Sequence, residues 1–361
     1  MERAPRRVAV AMSGGVDSST AAALLLEQGV GVVGLTLKVW DSSRCCSVDD
    51  VEDARRVARH LGIPFYVLDA HEAFEHEVVG PFARGYAEGG TPNPCIRCNR
   101  RVKFRWLLRR ALALGCEALA TGHYARVEAR AGRVRLRKGV DPAKDQSYFL
   151  VPEDPADLSR VRFPLGSLTK GQVREAAERL GLPVARKGES QDVCFLPEGG
   201  LERFLAERLG PGAPGEIVDR SGRLLGRHRG VAAYTVGQRR GLGVSVGEPV
   251  YVIEKDVARN RLVVGPRQAL LAPGLVARDA VWMEGRPPGE RFRCAVKIRS
   301  TAPEVPCEVR VEGGRVRVRF DSPRFGVAPG QMAVFYRGDE VLGGAWIEQG
   351  LGPPDGGEPA P

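Results

Sequence analysis

The sequence predicts an α/β protein: a doubly wound, mostly parallel sheet, then a small β-rich central domain, then a C-terminal β-barrel. Three observations carry this. Apolar strand-like runs alternate with amphipathic helical runs to about residue 190. From Pro211 onward the pattern changes to short alternating strands broken by Gly and Pro. A glycine-rich loop, "SGGVDSS", stands directly between the first strand and the first helix.

The elements follow in order. "RRVAVAM" is the first strand, "SSTAAALLLEQG" a helix ending at Gly29, and "GVVGLTLKVW" the second strand. "VDDVEDARRVARHLG" reads as a helix, "IPFYVLDA" as a strand, and "EHEVVGPFARGYAEG" as a helix broken near Pro81. "NRRVKFRWLLRRALALG" is a basic helix starting near Asn99, and "EALATGHYA" a strand. "LTKGQVREAAERLGL" opens on Thr169 as N-cap and stops at Gly181. "GGLERFLAERLG" is a further short helix. Beyond it, "GEIVDRSGRLLGRH", "PVYVIEKDVARNRLVVG", "RFRCAVKIRS", "CEVRVEGGRVRVRF" and "MAVFYRGDEVLGGAWIE" are strand pairs or strands, with hairpin turns at "VEGGRV" and "YRGDEV". The expected division is 1–210, 211–272 and 273–350, with a disordered tail over 351–361 whose composition cannot build a core.

A chain of 361 residues suits two or three domains. No run approaches the ~18 apolar residues of a membrane span. The start, "MERAPRRVAVAM", superficially copies a signal peptide, but its apolar part runs straight into "SGG" and reads as a strand. The expectation is a cytoplasmic protein with reduced cysteines and no membrane partner. A net charge of +10 points toward a polyanionic partner.

The loop of Ser13, Gly14, Gly15, Val16, Asp17 and Ser18 has the makings of an anion site. Glycines let backbone N–H groups approach a phosphate, and the following helix adds its positive end. The Lys-Ser/Thr pair of a Walker A loop is missing. A carboxylate at Asp17 would repel phosphate, and it makes sense there as a ligand for Mg²⁺. Of the eight cysteines, Cys116, Cys294 and Cys307 read as small core residues. Cys45 and Cys46 form a vicinal pair in a polar loop, with no physical account. Cys95 and Cys98, in "TPNPCIRCN", are spaced C-x-x-C, and Cys194 sits in "ESQDVCFLP". Arg97, Arg100 and Arg101 around Cys98 favour a thiolate over a free thiol pKa of ~8.5.

"SGGVDSS" after a first strand resembles the pyrophosphate loop of the ATP-pyrophosphatase enzymes, which adenylate a carbonyl oxygen and let a nucleophile displace AMP. With it, "GLTLKVW", "TPNPCIRCN", "ATGHYAR", "KDQSYFL", "ESQDVCFLP", "YTVGQRRGLG", "KIRS" and "PGQMAVFY" resemble, in order over about residues 7–350, the bacterial tRNA-specific 2-thiouridylases. The resemblance implies an adenine nucleotide alpha-hydrolase-like catalytic domain, a central domain and a barrel. It implies conversion of the wobble uridine of certain tRNAs to 2-thiouridine, with ATP and Mg²⁺ as cofactors and a persulfide-carrying sulfur donor protein as partner. By position it places Ala11, Met12, the loop to Ser18, Leu37 and Gly122 at the nucleotide. Asn93, Pro94 and Cys95 fall at the target base. His123, Lys144, Asp145, Gln146, Arg299, Ser300 and Gln331 fall on the tRNA. Cys194 would receive sulfur as a persulfide, and Cys98 would release it through a transient disulfide.

Cys95 departs from the pattern, since many relatives carry Asp there. The C-x-x-C branch resembles an iron–sulfur type, in which Cys95, Cys98 and Cys194 would hold a cluster with an open iron site; three thiolates with a histidine would also suit zinc. The sequence leaves relay and cluster open, with a lean to the cluster. Two competing functions are another pyrophosphate-loop thiolase or adenylating ligase, and a cysteine-stapled RNA-binding adaptor, which would need no ATP loop.

Overall fold

The computed structural model describes residues 5–39, 48–130, 133–188 and 193–352. Cys45 and Cys46, residues 189–192 of "ESQDVCFLP" and the tail beyond 352 lie outside the described residues.

The N-terminal sheet is all parallel, in the order β3-β2-β1-β4-β7. Its strands are β1 (Arg7–Ala11), β2 (Gly31–Lys38), β3 (Phe65–Asp69), β4 (Ala118–Ala120) and β7 (Val161–Arg162). Side chains alternate across the sheet: Val8 and Val10 enter one apolar cluster with Ala22, Val57 and Ala177, while Ala9 enters another with Phe74, Phe82 and Leu119. Both faces are therefore buried at β1, β2 and β4, which is why these strands read as continuous apolar runs, while the edge strand β3 stays largely exposed. Helices α1 (Val16–Glu27), α2 (Val48–His60) and α5 (Lys170–Arg179) serve the first face. Residues 71–87 (α3) and 94–113 (α4) serve the second, joined by α6 (Gly200–Leu209). The chain passes from β1 out to β3 and then back to β4, so the strand order reverses beside β1.

Three local expectations need correction. The 71–87 helix is not broken at Pro81: a wider turn at Glu75–Val79 precedes it and absorbs the lost hydrogen bond. "TGHY" is not strand but a loop, and the strand resuming at Ala125 belongs to another sheet. The basic helix begins at Pro94 rather than Asn99, because Asn93 caps it by accepting from the Cys95 and Ile96 N–H groups. Its turns from Cys98 to Leu107 are widened, a winding often found at functional sites.

The central sheet runs β10-β11-β8-β9, built from β8 (Gly215–Val218), β9 (Leu224–His228), β10 (Tyr251–Asp256) and β11 (Arg261–Gly265), over a small core of Ile217, Val252, Leu262 and Val264. Then β12 (Leu271–Trp282), β13 (Arg291–Lys297), β14 (Val305–Glu312), β15 (Arg315–Phe325), β16 (Met332–Arg337) and β17 (Glu340–Gly350) form the barrel, closed where β12 pairs with β17. The hairpin β5 (Ala125–Arg130) and β6 (Arg133–Lys138) comes from the N-terminal part yet hydrogen-bonds to β17, with Val341 opposite Leu136. A shared core of Ile96, Phe104, Leu136, Tyr148, Met332 and Tyr336 fuses α4, the hairpin and the barrel. Among the described residues, no helix is long and apolar enough to cross a membrane.

Candidate functional site

Ligands of open α/β sheets bind beyond the carboxyl ends of the strands where the order reverses, here between β1 and β4. The Ser13–Ser18 loop follows β1 at that point. Gly14 adopts φ +70°, and a Cβ there would sit 2.2 Å from the Asp50 carbonyl oxygen, so only glycine fits against α2. Gly122 follows β4, and a Cβ there would approach the Ser18 nitrogen to 2.7 Å. Its backbone therefore lies directly on the first turn of α1. The Ser13 N–H donates to Ser18 Oγ at 3.1 Å, while the Ser18 and Ser19 hydroxyls donate to the Gly15 carbonyl at 3.2 and 2.8 Å, holding the loop shut. Met12 and Ala11 end the strand, tied to β2 through Thr36 Oγ1 on the Met12 carbonyl at 2.7 Å; Leu37, almost wholly buried, follows it.

Asp17 is where expectation and structure part. Lys170 Nζ donates to both of its carboxylate oxygens at 2.7 and 2.9 Å, and the Tyr124 hydroxyl donates to Oδ1 at 2.8 Å. The carboxylate is neutralised by a lysine, so it does not fit as the Mg²⁺ ligand that the sequence suggested. The same contact balances the charge of an aspartate set in a glycine-rich turn at a helix N-terminus. Lys170 is presented from the first position of α5, fixed by the Thr169–Gln172 capping box. The Asp141 carboxylate accepts the Lys170 N–H at 2.9 Å, and that bond, ahead of others, holds it below its usual range.

A second lysine braces the loop from α2's side. Lys187 Nζ donates to Gly14 O at 3.2 Å, Asp50 Oδ1 at 2.7 Å and Asp53 Oδ2 at 2.6 Å. Burial alone would lower Lys187, but the two carboxylates hold it above its ordinary value. Burial would likewise raise Asp53, yet Lys187 and Arg56 keep it low. Sequence reasoning missed Tyr124, Lys170 and Lys187. Only Lys170 left a signal: a cation at a helix N-terminus opposes the macrodipole and needs a reason to be there.

The cysteine loop sits beside the barrel. The Thr91 N–H donates to the Pro329 carbonyl and Gln331 Nε2 to the Thr91 carbonyl, both at 2.7 Å. Tyr148 OH donates to the Met332 carbonyl at 3.0 Å, and the Arg299 charge acts on that phenol. Arg299 Nε is enclosed and without a hydrogen bond among the described residues, while Ser300 beside it is half-buried. Pro94 is buried, Cys95 is exposed in the first turn of α4, and Cys98 lies one turn on. Cys98 and Cys194 pack against the same apolar cluster, and neighbouring Phe195 stands edge-on to Phe74 and Phe82.

The arginines next to Cys98 in the sequence have partners of their own. Arg97 Nε donates to the Glu77 carbonyl, Arg101 pairs with Glu153, and Arg100 is buried, donating to the Val151 carbonyl at 2.8 Å beneath Trp346. Arg105 also pairs with Glu153, and Arg110 stacks on Trp106. Much of the basic run is thus committed within the protein.

The iron–sulfur and zinc expectations fail the same kind of test. Among the described residues no three His, Cys, Asp or Glu side chains converge as metal ligands do. Cys95 stands exposed while Cys98 and Cys194 pack into an apolar cluster, so these three do not fit a ligand set.

His123 shares a hydrogen bond of 2.6 Å with Thr121 Oγ1 and lies edge-on to Phe104 and Phe163. Loss of water around the ring, reinforced by the Lys103 charge, pushes it well below 6.5, so it is neutral near pH 7 and no phosphate-binding cation. Gln146 Oε1 accepts the Tyr124 N–H at 2.9 Å. Asp145 accepts from the Gly139 and Ser147 N–H groups and the Ser147 hydroxyl, which makes it a brace for its own loop. Lys144 is half-exposed on that loop.

Three family models match between residues 6 and 347: one described as a tRNA methyl transferase HUP domain over residues 6–198, one as a tRNA methyl transferase PRC-barrel domain over 202–266, and one as an aminomethyltransferase beta-barrel domain over 273–347. Three similar curated proteins are each named tRNA-specific 2-thiouridylase MnmA. That of Geobacter metallireducens is 52% identical, covering 97% of this chain and 99% of its own. That of Magnetococcus marinus is 50% identical over 95% and 99%, and that of Chloroflexus aurantiacus 51% over 94% and 98%. Among solved structures, the U34-tRNA thiolase NcsA from Methanococcus maripaludis with its [4Fe-4S] cluster matches at 19% identity and TM-score 0.36, covering 57% of this chain and 64% of its own. That likeness is too distant to bear on chemistry.

Proposed function

The chain belongs to the tRNA-specific 2-thiouridylase family, and from that premise we infer that it is a tRNA-uridine 2-sulfurtransferase carrying out ATP-dependent 2-thiolation of the wobble uridine. The uridine C2 oxygen is a poor leaving group. It attacks the α-phosphorus of ATP, pyrophosphate departs, and the oxygen becomes part of AMP. A terminal persulfide sulfur on Cys194 then attacks C2 and AMP leaves. The Cys98 thiolate attacks the inner sulfur of Cys194, breaking the S–S bond, leaving sulfur on C2 and forming a Cys98–Cys194 disulfide that an external thiol reduces.

The N-terminus of α1 and the Ser13–Ser18 amides hold the polyphosphate, Lys170 neutralises Asp17 within that loop, and Gly122 with Leu37 borders the adenosine. Mg²⁺ accompanies ATP as a counter-ion, with no protein ligand assigned. Asn93 to Cys95 face the base; Arg299, Ser300, Gln331, Lys144 and Gln146 border the tRNA, with Asp145 shaping their loop and neutral His123 offering a hydrogen bond rather than charge. A persulfide-carrying protein supplies the sulfur, and the reaction runs in the cytoplasm. The catalytic unit is 1–210, with 211–272 and 273–350 as central and barrel domains; the β5–β6 hairpin crosses that division.

The observation that carries this reading is the placement of Cys98 and Cys194 on one apolar cluster. Cys98→Ser and Cys194→Ser should each abolish 2-thiouridine while leaving tRNA-dependent pyrophosphate release within about twofold. Cys95→Asp and Cys116→Ala should both stay active. Loss of pyrophosphate release in both serine variants would place these thiols in the adenylation step instead.

A further inference from the structure

Two of the thiols outside the reaction face each other in the barrel. Cys294 on β13 and Cys307 on β14 are direct cross-strand partners, with their sulfurs 3.7 Å apart. Cys307 is fully buried in the barrel core, and Cys294 is partly exposed against the same cluster. Side chains of directly opposed residues point to one face, with Cβ atoms roughly 4.5–5.5 Å apart. A disulfide wants ~3.8 Å between Cβ atoms, so bridging calls for a strand approach of about 1 Å and a turn of each side chain.

We propose that Cys294 and Cys307 form a two-thiol oxidation site in the barrel, converted by a peroxide into a reversible cross-strand disulfide. Cys294, the accessible member, attacks the peroxide oxygen: with hydrogen peroxide, Cys294–SH becomes Cys294–SOH and one water leaves. Cys307 then attacks that sulfur; its proton joins the departing hydroxyl as a second water, and the S–S bond forms. Two electrons pass from the thiols to the peroxide, and a dithiol returns them. The hydrogen bond with Cys294, and then burial, push the Cys307 thiol up, so Cys307 stays protonated and Cys294 reacts first; Cys307 gives up its proton only as it attacks the sulfenic sulfur, to the hydroxyl that departs. The bridge would pinch β13, which also pairs with β16 and leads into Arg299 and Ser300.

The test is peptide mapping of the full chain, in a Cys95→Ser, Cys98→Ser, Cys194→Ser background so that the relay thiols do not contribute. After hydrogen peroxide, a linked peptide containing Cys294 and Cys307 should appear, lighter than the two thiol peptides by two hydrogens, and vanish with dithiothreitol. It should be absent in Cys294→Ala. In Cys307→Ala the same treatment should carry Cys294 on to the sulfinic acid, for want of a resolving thiol. The proposal is overturned if Cys294 is oxidised to sulfinic acid while Cys307 stays alkylatable, or if neither residue changes at peroxide that oxidises Cys98 in the unsubstituted chain.

Discussion

At the residue scale, the Asp17–Lys170 pair sets the charge of the Ser13–Ser18 loop, the proposed seat of the polyphosphate. Lys170→Met would leave an unbalanced carboxylate facing polyphosphate, and Asp17→Asn an unbalanced cation. Hydrogen bonds to charged groups contribute about 1.5–3 kcal/mol, so each single change should cost about tenfold or more in kcat/KM for ATP. The double variant should be no worse than the poorer single one, which tRNA-dependent pyrophosphate release would measure. Multiplying losses would refute the pairing. His123 gives the pH dependence. Its folded pKa lies well below 6.5, so the unfolded chain binds the extra proton first. The neutral ring's contribution is full above the unfolded value and is lost as pH falls below about 6.5, with a limiting slope of ~1.4 kcal/mol per pH unit. His123→Asn should flatten the melting temperature between pH 6.5 and 5; an unchanged slope would count against the neutral ring.

At the scale of elements, α5 is a capped helix that aims a lysine. Removing the cap by Thr169→Ala should cost about 1 kcal/mol. Amide protection across 170–180 should therefore fall roughly fivefold, together with ATP affinity because Lys170 loses its fixed origin. Intact protection would place the anchoring elsewhere. The Gln331–Thr91 contact plays the same part for α4, tying the cysteine turn to the barrel. Gln331→Ala should slow thiolation more than adenylation, read as the ratio of 2-thiouridine to pyrophosphate. An unchanged ratio would show that the turn holds its position without the barrel.

For the whole molecule, Arg100 is the pin between α4 and the barrel. Burial lowers its pKa to about 10, so it stays charged at neutral pH beneath Trp346. Arg100→Ala leaves the Val151 carbonyl unpaired and opens a cavity, a loss of about 2–4 kcal/mol. Trp346 fluorescence should shift red as water enters, and barrel unfolding should separate from that of the sheet. A single unshifted transition would argue that the shared core alone joins the two.

The alternation of strands and helices, the glycine-rich turn between β1 and α1, Thr169 as a cap and the change of pattern near Pro211 were all legible in the sequence. Each depends on neighbours within one or two turns of chain, where periodicity and steric preference act. The site was legible only where a residue type carried its own reason, as the loop glycines did. What the sequence could not decide was pairing at a distance. Asp17 reads as a metal ligand until Lys170, 153 residues away, neutralises it. Arg97, Arg100 and Arg101 read only as charges beside Cys98 until the Glu77 carbonyl, the Glu153 carboxylate and the Val151 carbonyl take them up. Three cysteines read as a ligand set until folding leaves one exposed and two in an apolar cluster. A charge or a thiol declares what it can bind; only tertiary packing decides which partner reaches it first.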